Sequence, residues 1–297
     1  MTETHTRRLK NLLAARKAIV MPGAANALTG RIIAEHGFEA VYISGAGIAN
    51  MHLGLPDVGL VSLKEVVAHI SLMRDVVDLP LLVDGDTGFG NAVNVVRTVE
   101  QFEKAGASGI QLEDQVSPKK CGHFSGKAVI TADEMAQKIK AAADSRRDPD
   151  FQIVARTDAC SVEGLEAALD RAQQYIEAGA DATFVEAPTA VEDLGRIARE
   201  LPVPQIANMV FGGKTPLTSQ ADLEAMGFGA VLYANAALQV SIRAIADMLG
   251  VLKETGSLDS VADRVASFEE RQRLVNKDKY DALEQRYAVT EGEQTKE

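Results

Sequence analysis

Eight short apolar runs, alternating with segments of helical periodicity, limit the folds open to this chain more than any other feature. The runs occupy residues 18–21, 40–44, 80–84, 109–113, 153–157, 182–186, 205–208 and 230–233, each of strand length. Between and after them, residues 28–36, 63–77, 91–105, 132–144, 162–178, 191–200, 219–226 and 237–255 read as helices. In the third of these, Val95, Val96, Val99 and Phe102 form an apolar stripe with Arg97, Glu100 and Lys104 on the back. Gly37, Gly106, Gly179 and Gly227 fall where a helix ends and the chain turns into the next strand, the usual place of a C-cap glycine. Eight strand-and-helix units predict an α/β chain of the (β/α)8 barrel type. A doubly wound open sheet fits less well, because no GxGxxG opens a helix after the first run.

The length of 297 residues suits one large barrel domain, here expected over residues 1–289. Val261, Val265, Phe268, Leu274, Tyr280 and Leu283 recur at roughly helical spacing beyond the eighth unit. These surplus helices must bury their apolar face on their own barrel or on a neighbouring subunit. Residues 290–297 are polar and are expected to be a disordered tail. The formal net charge of −11 argues against nucleic acid or an anionic membrane as partner. A small anionic substrate stays open, since a local cationic pocket or a metal overrides the global field. Two cysteines, Cys121 and Cys160, form no disulfide framework and no zinc pattern. There is no apolar signal core and no run of the ~20 apolar residues that spans a bilayer, so a reducing cytoplasm is the expected location.

In a barrel the reactive groups sit at the C-terminal ends of strands and in the loops that follow. Those positions hold Ser44-Gly45-Ala46-Gly47, then Asp57 in the next loop, Asp84-Gly85-Asp86, Glu113-Asp114, Arg156-Thr157-Asp158, Glu186 and Asn208. Asp84, Asp86 and Glu113 form an oxygen-only set of the kind a hard cation selects. The plainer alternative is a turn capped by Asp84 beside a solvated Asp86. Arg156 needs a carboxylate, either from substrate or from Glu113 or Glu186. Ser44 to Gly47 offer closely spaced N–H groups for an anion, or only a tight turn. His36 and His69 read as structural, His5 as part of a mobile terminus, and His52 is undecided.

The loop after the fourth run carries Lys119, Lys120, Cys121, Gly122 and His123. Cationic neighbours push a thiol toward thiolate, and Gly122 and Gly126 free the backbone to move, as a lid over a substrate requires. A solvated basic loop with an incidental cysteine is the other reading. Cys160 lacks an activating neighbour and reads as a bystander.

Ser44-Gly45-Ala46-Gly47, the Asp84-to-Gly90 phrase DGDTGFG, Leu112-Glu113-Asp114-Gln115, Ala155-Arg156-Thr157-Asp158 and above all Lys119-Lys120-Cys121-Gly122-His123 resemble the isocitrate lyase/phosphoenolpyruvate mutase superfamily. The likeness spans about residues 10 to 285. It implies a (β/α)8 barrel whose eighth helix is swapped between paired subunits of a homotetramer, and a Mg²⁺-dependent site in which Mn²⁺ could substitute. It places Asp84 and Asp86 at the metal, with Glu113 reaching it through water. Ser44, Gly45, Ala46 and Arg156 match the groups that hold the α-keto-acid half of a substrate, and Asp57 a further acid near the reacting centre. Glu186, Asn208 and Gly122 complete the expected substrate contacts. Lys119, Cys121 and His123 match the gating loop of the lyase branch, where the thiol protonates the leaving carbanion.

The resemblance thus implies a carbon–carbon lyase that cleaves a 2-hydroxy di- or tricarboxylate to pyruvate and a second carboxylate, propionate or succinate. 2,3-Dimethylmalate and 2-methylisocitrate are the model substrates. Phosphonomutase and oxaloacetate hydrolase or decarboxylase chemistry are the alternatives. Gln239 stands where methylisocitrate lyases tend to carry an arginine, which favours a dicarboxylate.

Overall fold

The computed structural model describes residues 3–120, 122 and 126–289. Eight strands are present: β1 (Ile19–Ala24), β2 (Val41–Ile43), β3 (Leu81–Asp84), β4 (Gly109–Glu113), β5 (Gln152–Thr157), β6 (Ala182–Val185), β7 (Ile206–Asn208) and β8 (Ala230–Tyr233). All pairings are parallel, in the order β6-β5-β4-β3-β2-β1-β8-β7. The circle closes through a parallel bridge between Thr183 and Gln205, where the Thr183 hydroxyl donates to Gln205 Oε1 at 2.8 Å. A closed sheet leaves no unpaired edge, and the arrangement is the (β/α)8 barrel expected from the eight repeats.

Local chemistry explains the helix borders. Ser62 and Glu65 form a reciprocal capping box on Leu63–Arg74, and Asn91 and Asn94 do the same for Ala92–Ala105. Gly106 and Gly227 end their helices at φ 96° and 95°, a left-handed conformation that favours glycine. Strand residues such as Val41, Leu81, Val83, Ile110 and Ile153 pack against the helices in one outer layer, with Phe102 and Tyr175 among the fully buried side chains there.

The barrel interior is filled by Met21, Tyr42, Leu82, Val154, Phe184 and Leu232. Leu9 and Leu13 join that interior group, carried by a helix at His5–Ala14. This corrects the reading of His5 as part of a mobile terminus. His5 is the first residue of that helix, and its Nε2 lies 2.7 Å from Asp78 Oδ1. Isolated helical periodicity over so few residues gave no hint that Leu9 and Leu13 are needed as core.

Compact packing divides the chain into a unit of Met1–Ile242 and a second of Arg243–Glu297. The first holds the barrel. The second holds the rest of the helix Ala236–Thr255, a 3₁₀ segment Asp259–Arg264 and the helices Phe268–Leu274 and Lys277–Tyr287. The extra C-terminal helices are therefore present. Ile245, Leu249, Phe268, Tyr280 and Tyr287 are exposed. Among the described residues no helix is long and apolar enough to cross a membrane.

Closure of the barrel rests in part on one side-chain pair. Gln205→Ala strands the buried Thr183 hydroxyl, and an unsatisfied buried polar group costs about 1–3 kcal/mol. Urea unfolding at neutral pH should show a loss of that size, and Thr183→Val combined with Gln205→Leu should recover most of it.

Candidate active site

At the C-terminal ends of the strands a small polar cavity of about 40 Å³ is lined by nine of the residues singled out from the sequence. Ser44, Ala46 and Asp57 come from the β2 side, Asp84 from β3, Lys119 and Gly122 from the loop after β4, Arg156 from β5, Glu186 from the end of β6 and Asn208 from β7. Gly45 touches the same space through its N–H, which donates to Asp84 Oδ2 at 3.2 Å. Asp86 lines an adjoining cavity that also includes Lys119. Cys121 and His123 lie outside the described residues.

The loop at Ser44 is neither an open nest nor a plain tight turn. Ser44 caps a helical turn at Gly45–Gly47, accepting from Gly47 N–H at 3.2 Å, and the chain continues into a π-helix at Ile48–Leu53. The small side chains are required by proximity: a Cβ on Gly45 would sit 3.1 Å from Asp84 Oδ2 and 3.2 Å from Asp86 Oδ1. Asp86 itself takes a positive φ of 46°. Its N–H donates to Asp84 Oδ1 at 3.1 Å, so Asp84 does cap this turn, yet Asp86 is buried rather than solvated.

Strand register sets the height of each acid. Asp84 is level with Gln111, so Glu113 lies two residues further along its strand and level with Asp86, whose carbonyl accepts the Glu113 N–H at 2.9 Å. Two residues of strand correspond to about 6–7 Å. Among the described residues no three His, Cys, Asp or Glu side chains form a ready metal cluster.

Lys119 and Arg156 organise these acids. Lys119 Nζ lies 2.6 Å from Asp57 Oδ1 and 2.9 Å from Asp86 Oδ1, with its side chain 5% exposed. Burial works against its charge, but Asp86, Glu113, Asp84 and Asp57 together raise the ammonium well above the usual lysine range. Arg156 Nε lies 3.4 Å from Glu113 Oε2 and 2.9 Å from Asp158 Oδ2, and its Nη1 is 3.3 Å from Glu186 Oε2. The guanidinium also stacks 5.1 Å from the Phe184 ring centroid. Both carboxylates proposed from sequence as its partners are used, and Asp158 is a third. Burial raises the Asp86 carboxyl to about 6 despite Lys119, and raises Glu113 well above the carboxylate range despite Arg156.

The residues fit a hard cation in a specific way. Six carboxylates (Asp57, Asp84, Asp86, Glu113, Asp158 and Glu186) face three cations (Lys119, Arg156 and Lys127). Glu113 Oε1 is buried with no hydrogen-bond partner, and Asp86 Oδ1 has only the Lys119 ion pair. Asp84 Oδ2 and Asp86 Oδ1 both face the space beside Gly45. Two carboxylate oxygens, an excess of negative charge and room for water suit Mg²⁺ better than a metal that demands an all-protein cage.

Tyr42, Phe184 and Leu232 line the cavity without having been singled out from the sequence. Tyr42 donates to Gln111 Oε1 at 2.6 Å beneath the site, and the Ser44 hydroxyl donates to Asn235 Oδ1 at 3.3 Å. Val210, Leu232 and Ala234 give an apolar wall on the β7–β8 side. Inward orientation at a strand end was the available signal, but short three- and four-residue strands give no reliable phase. Gln239 is exposed and donates to the Phe211 carbonyl at 3.4 Å.

Comparison with known proteins follows the same geometry. A family model described as phosphoenolpyruvate phosphomutase matches residues 9–252. The chain is 45% identical over 282 residues to 2,3-dimethylmalate lyase of Eubacterium barkeri, covering 95% of this chain and 98% of that protein. It is 42% identical over 277 residues to a probable 2-methylisocitrate lyase of Corynebacterium glutamicum, covering 93% and 90% of the two chains. Among solved structures, a 2,3-dimethylmalate lyase described as a PEP mutase/isocitrate lyase superfamily member superposes with a TM-score of 0.90 at 28% identity over the whole of both chains.

The Asp158 node gives this site a defined acid response. Burial alone would raise its carboxyl, but Arg156 and then Lys127 pull it down to about 2 from the ordinary 3.8. A depressed folded value means the contribution to stability is complete above about pH 4 and is withdrawn as the pH falls toward 2. The urea stability of the protein minus that of Asp158→Asn should stay constant above about pH 5 and shrink between about pH 4 and 2. A difference that grows on acidification would contradict the assignment.

Proposed function

The chain belongs to the phosphoenolpyruvate mutase/isocitrate lyase superfamily, and we propose that within it the protein is a Mg²⁺-dependent carbon–carbon lyase acting on a 2-hydroxy dicarboxylate of the 2,3-dimethylmalate kind. The observation that carries this reading is the paired arrangement of Lys119 and Arg156 among buried acids at the barrel rim, in a chain 45% identical to a 2,3-dimethylmalate lyase. Cys121 supports cleavage over phosphorus chemistry. The apolar wall of Val210, Leu232 and Ala234 suits alkyl substituents better than a third carboxylate.

Each residue has a distinct task in such a reaction. Asp84 and Asp86 would hold the cation, with Glu113 acting through water. A cation bound by them would supply Lewis acidity toward the substrate hydroxyl. Arg156, with Ser44 and Ala46 lining the same cavity, orients the keto-acid half by its carboxylate. Glu186 and Asn208, joined by an Asn208 Nδ2 to Glu186 Oε2 bond of 3.3 Å, define the wall beside the guanidinium. As C2–C3 breaks, the C2 hydroxyl gives its proton to a carboxylate at the cavity, Asp57, its oxygen becomes the keto group, and the bonding pair stays on the departing carboxylate half as its enolate. Cys121, as the thiol, gives its Sγ proton to that carbon and becomes a thiolate, which the cationic Lys119 and His123 beside it in the chain stabilise while they bind the departing carboxylate. Closure of the Cys121 loop excludes water that would protonate the enolate unselectively.

The assembly reading is a homotetramer built from helix-swapped pairs. It is supported by the exposed Ile245, Leu249, Phe268 and Tyr280 in the C-terminal unit, since an apolar face of that kind favours a partner. The working compartment is the cytoplasm.

Three measurements test these statements. Pyruvate release from 2,3-dimethylmalate should exceed that from 2-methylisocitrate, stop on chelation with EDTA and return with Mg²⁺. Full turnover in chelated protein would end the metal assignment. Cys121→Ser should lower kcat by ~10²–10⁴-fold with little change in KM, the usual worth of a positioned acid, while Cys160→Ser keeps most activity. Light scattering at micromolar concentration should give four times the chain mass, and a monomer would refute the swapped assembly.

A further inference from the structure

Lys127 belongs to none of the groups discussed as reactive, yet its side chain is only 2% exposed. It leaves the downstream arm of the loop that follows β4 and runs inward. Its Nζ lies 2.6 Å from Asp158 Oδ1 and also donates to the carbonyl of Gly122. Asp158 is itself fixed: Arg156 donates from Nε at 2.9 Å and from Nη2 at 3.2 Å, and the Asp158 N–H is held by Asp114 Oδ1 at 2.9 Å. One ammonium thus joins the backbone of the loop to the carboxylate that orients the site's arginine.

The rest of the loop is tethered at its stem. Gln115 and Val129 form an antiparallel bridge, Val116 N–H donates to the Ala128 carbonyl, and Gln115 exchanges two side-chain bonds with the Lys120 backbone. None of these contacts presses Gly122 toward the barrel. Gly122 nevertheless packs so closely that an added Cβ would lie 2.3 Å from Arg156 Nη2 and 2.9 Å from Glu186 Cγ. Among the described residues, Lys127 is the side chain that donates to the Gly122 carbonyl.

We propose that Lys127 is a positioning residue that clamps the Gly122 segment onto Asp158 and so sets the spacing between this loop and the Arg156 guanidinium. Asp158 keeps two bonds from Arg156 without it, so neutralising that carboxylate does not by itself require a second cation. Connectivity gives the clamp its importance: Cys121 and His123 flank Gly122 in the chain, and where Gly122 is held limits where both can reach. A buried ammonium that spends one bond on a loop carbonyl costs desolvation, which suits a contact that can be broken and remade.

The clamp is tested on the Mg²⁺-loaded, full-length protein by three readouts. Trypsin cleavage after Lys119 and Lys120 under native conditions reports local opening of the loop. Lys127→Met should speed it about tenfold or more with little change in the global unfolding midpoint, and Lys127→Arg should restore a near-native rate. In the unmodified protein, reductive methylation should label Lys127 at least about tenfold more slowly than the exposed Lys64 and Lys104. That measurement needs no variant to fold. The third readout rests on the lyase reading: Lys127→Met should lower kcat about 10–100-fold while KM moves less than about threefold. Native-like cleavage in Lys127→Met, or labelling of Lys127 as fast as Lys64, overturns the clamp. A chain that turns over none of the acids but shows the opening and the protection would refute the lyase reading and leave the clamp standing.

Discussion

The Arg156 guanidinium, buried against Glu113, Asp158 and Glu186, is the interaction on which the rest of the rim depends. An isolated charge in such surroundings would cost several kcal/mol, and here it is offset by carboxylates from three consecutive strand ends. Because the three acids come from β4, the turn after β5 and the end of β6, the arginine ties neighbouring strands of the barrel at their functional edge. The face of Phe184 holds the guanidinium from below. Its remaining side looks into the cavity, where an anionic ligand group would complete its shell.

Lys119 balances the other half of the site. Its ammonium bridges Asp57 and Asp86, two acids brought by the loops after β2 and β3. It arrives on the loop that also bears Gly122, so the charge balance of Asp57 and Asp86 is coupled to where that loop lies. The acids still outnumber the cations, and the buried Glu113 Oε1 lacks a partner. Such a site is poised for a divalent cation and an anionic ligand together, which matches the chemistry proposed for it. Behind it, Asp114 accepts from the Thr157 hydroxyl, the Tyr175 hydroxyl and the Asp158 N–H at 2.7, 2.8 and 2.9 Å. That buried network is fully committed, and it makes the turn at Asp158 a rigid support.

The residues that were legible in the sequence share one property: their meaning depends on local pattern. Glycines at helix ends, acids closing apolar runs and the Lys-Lys-Cys-Gly-His phrase can each be recognised within a few residues. Asp158 shows the limit. It sits in a phrase that was noticed, but a carboxylate two positions beyond an arginine carries no sign that both its oxygens will be shared between Arg156 and Lys127. Leu9 and Leu13 show the same limit in the core, since a short amphipathic helix looks alike whether it lies on a surface or plugs a barrel. Lys127, one lysine in a polar stretch, had no distinguishing signal at all.

By itself the sequence determined the eightfold repeat, the strand and helix content and the chemical types gathered at the strand ends, because periodicities of two and 3.6 residues and capping rules act over short distances. Tertiary structure alone decided the pairings. Which acid stands level with which cation follows from the strand register, and one closed sheet fixes all eight registers together. Glu113 meets Arg156 rather than Asp84 because the β3–β4 and β4–β5 offsets place it there. No single strand carries that information, and it exists only once the barrel is closed.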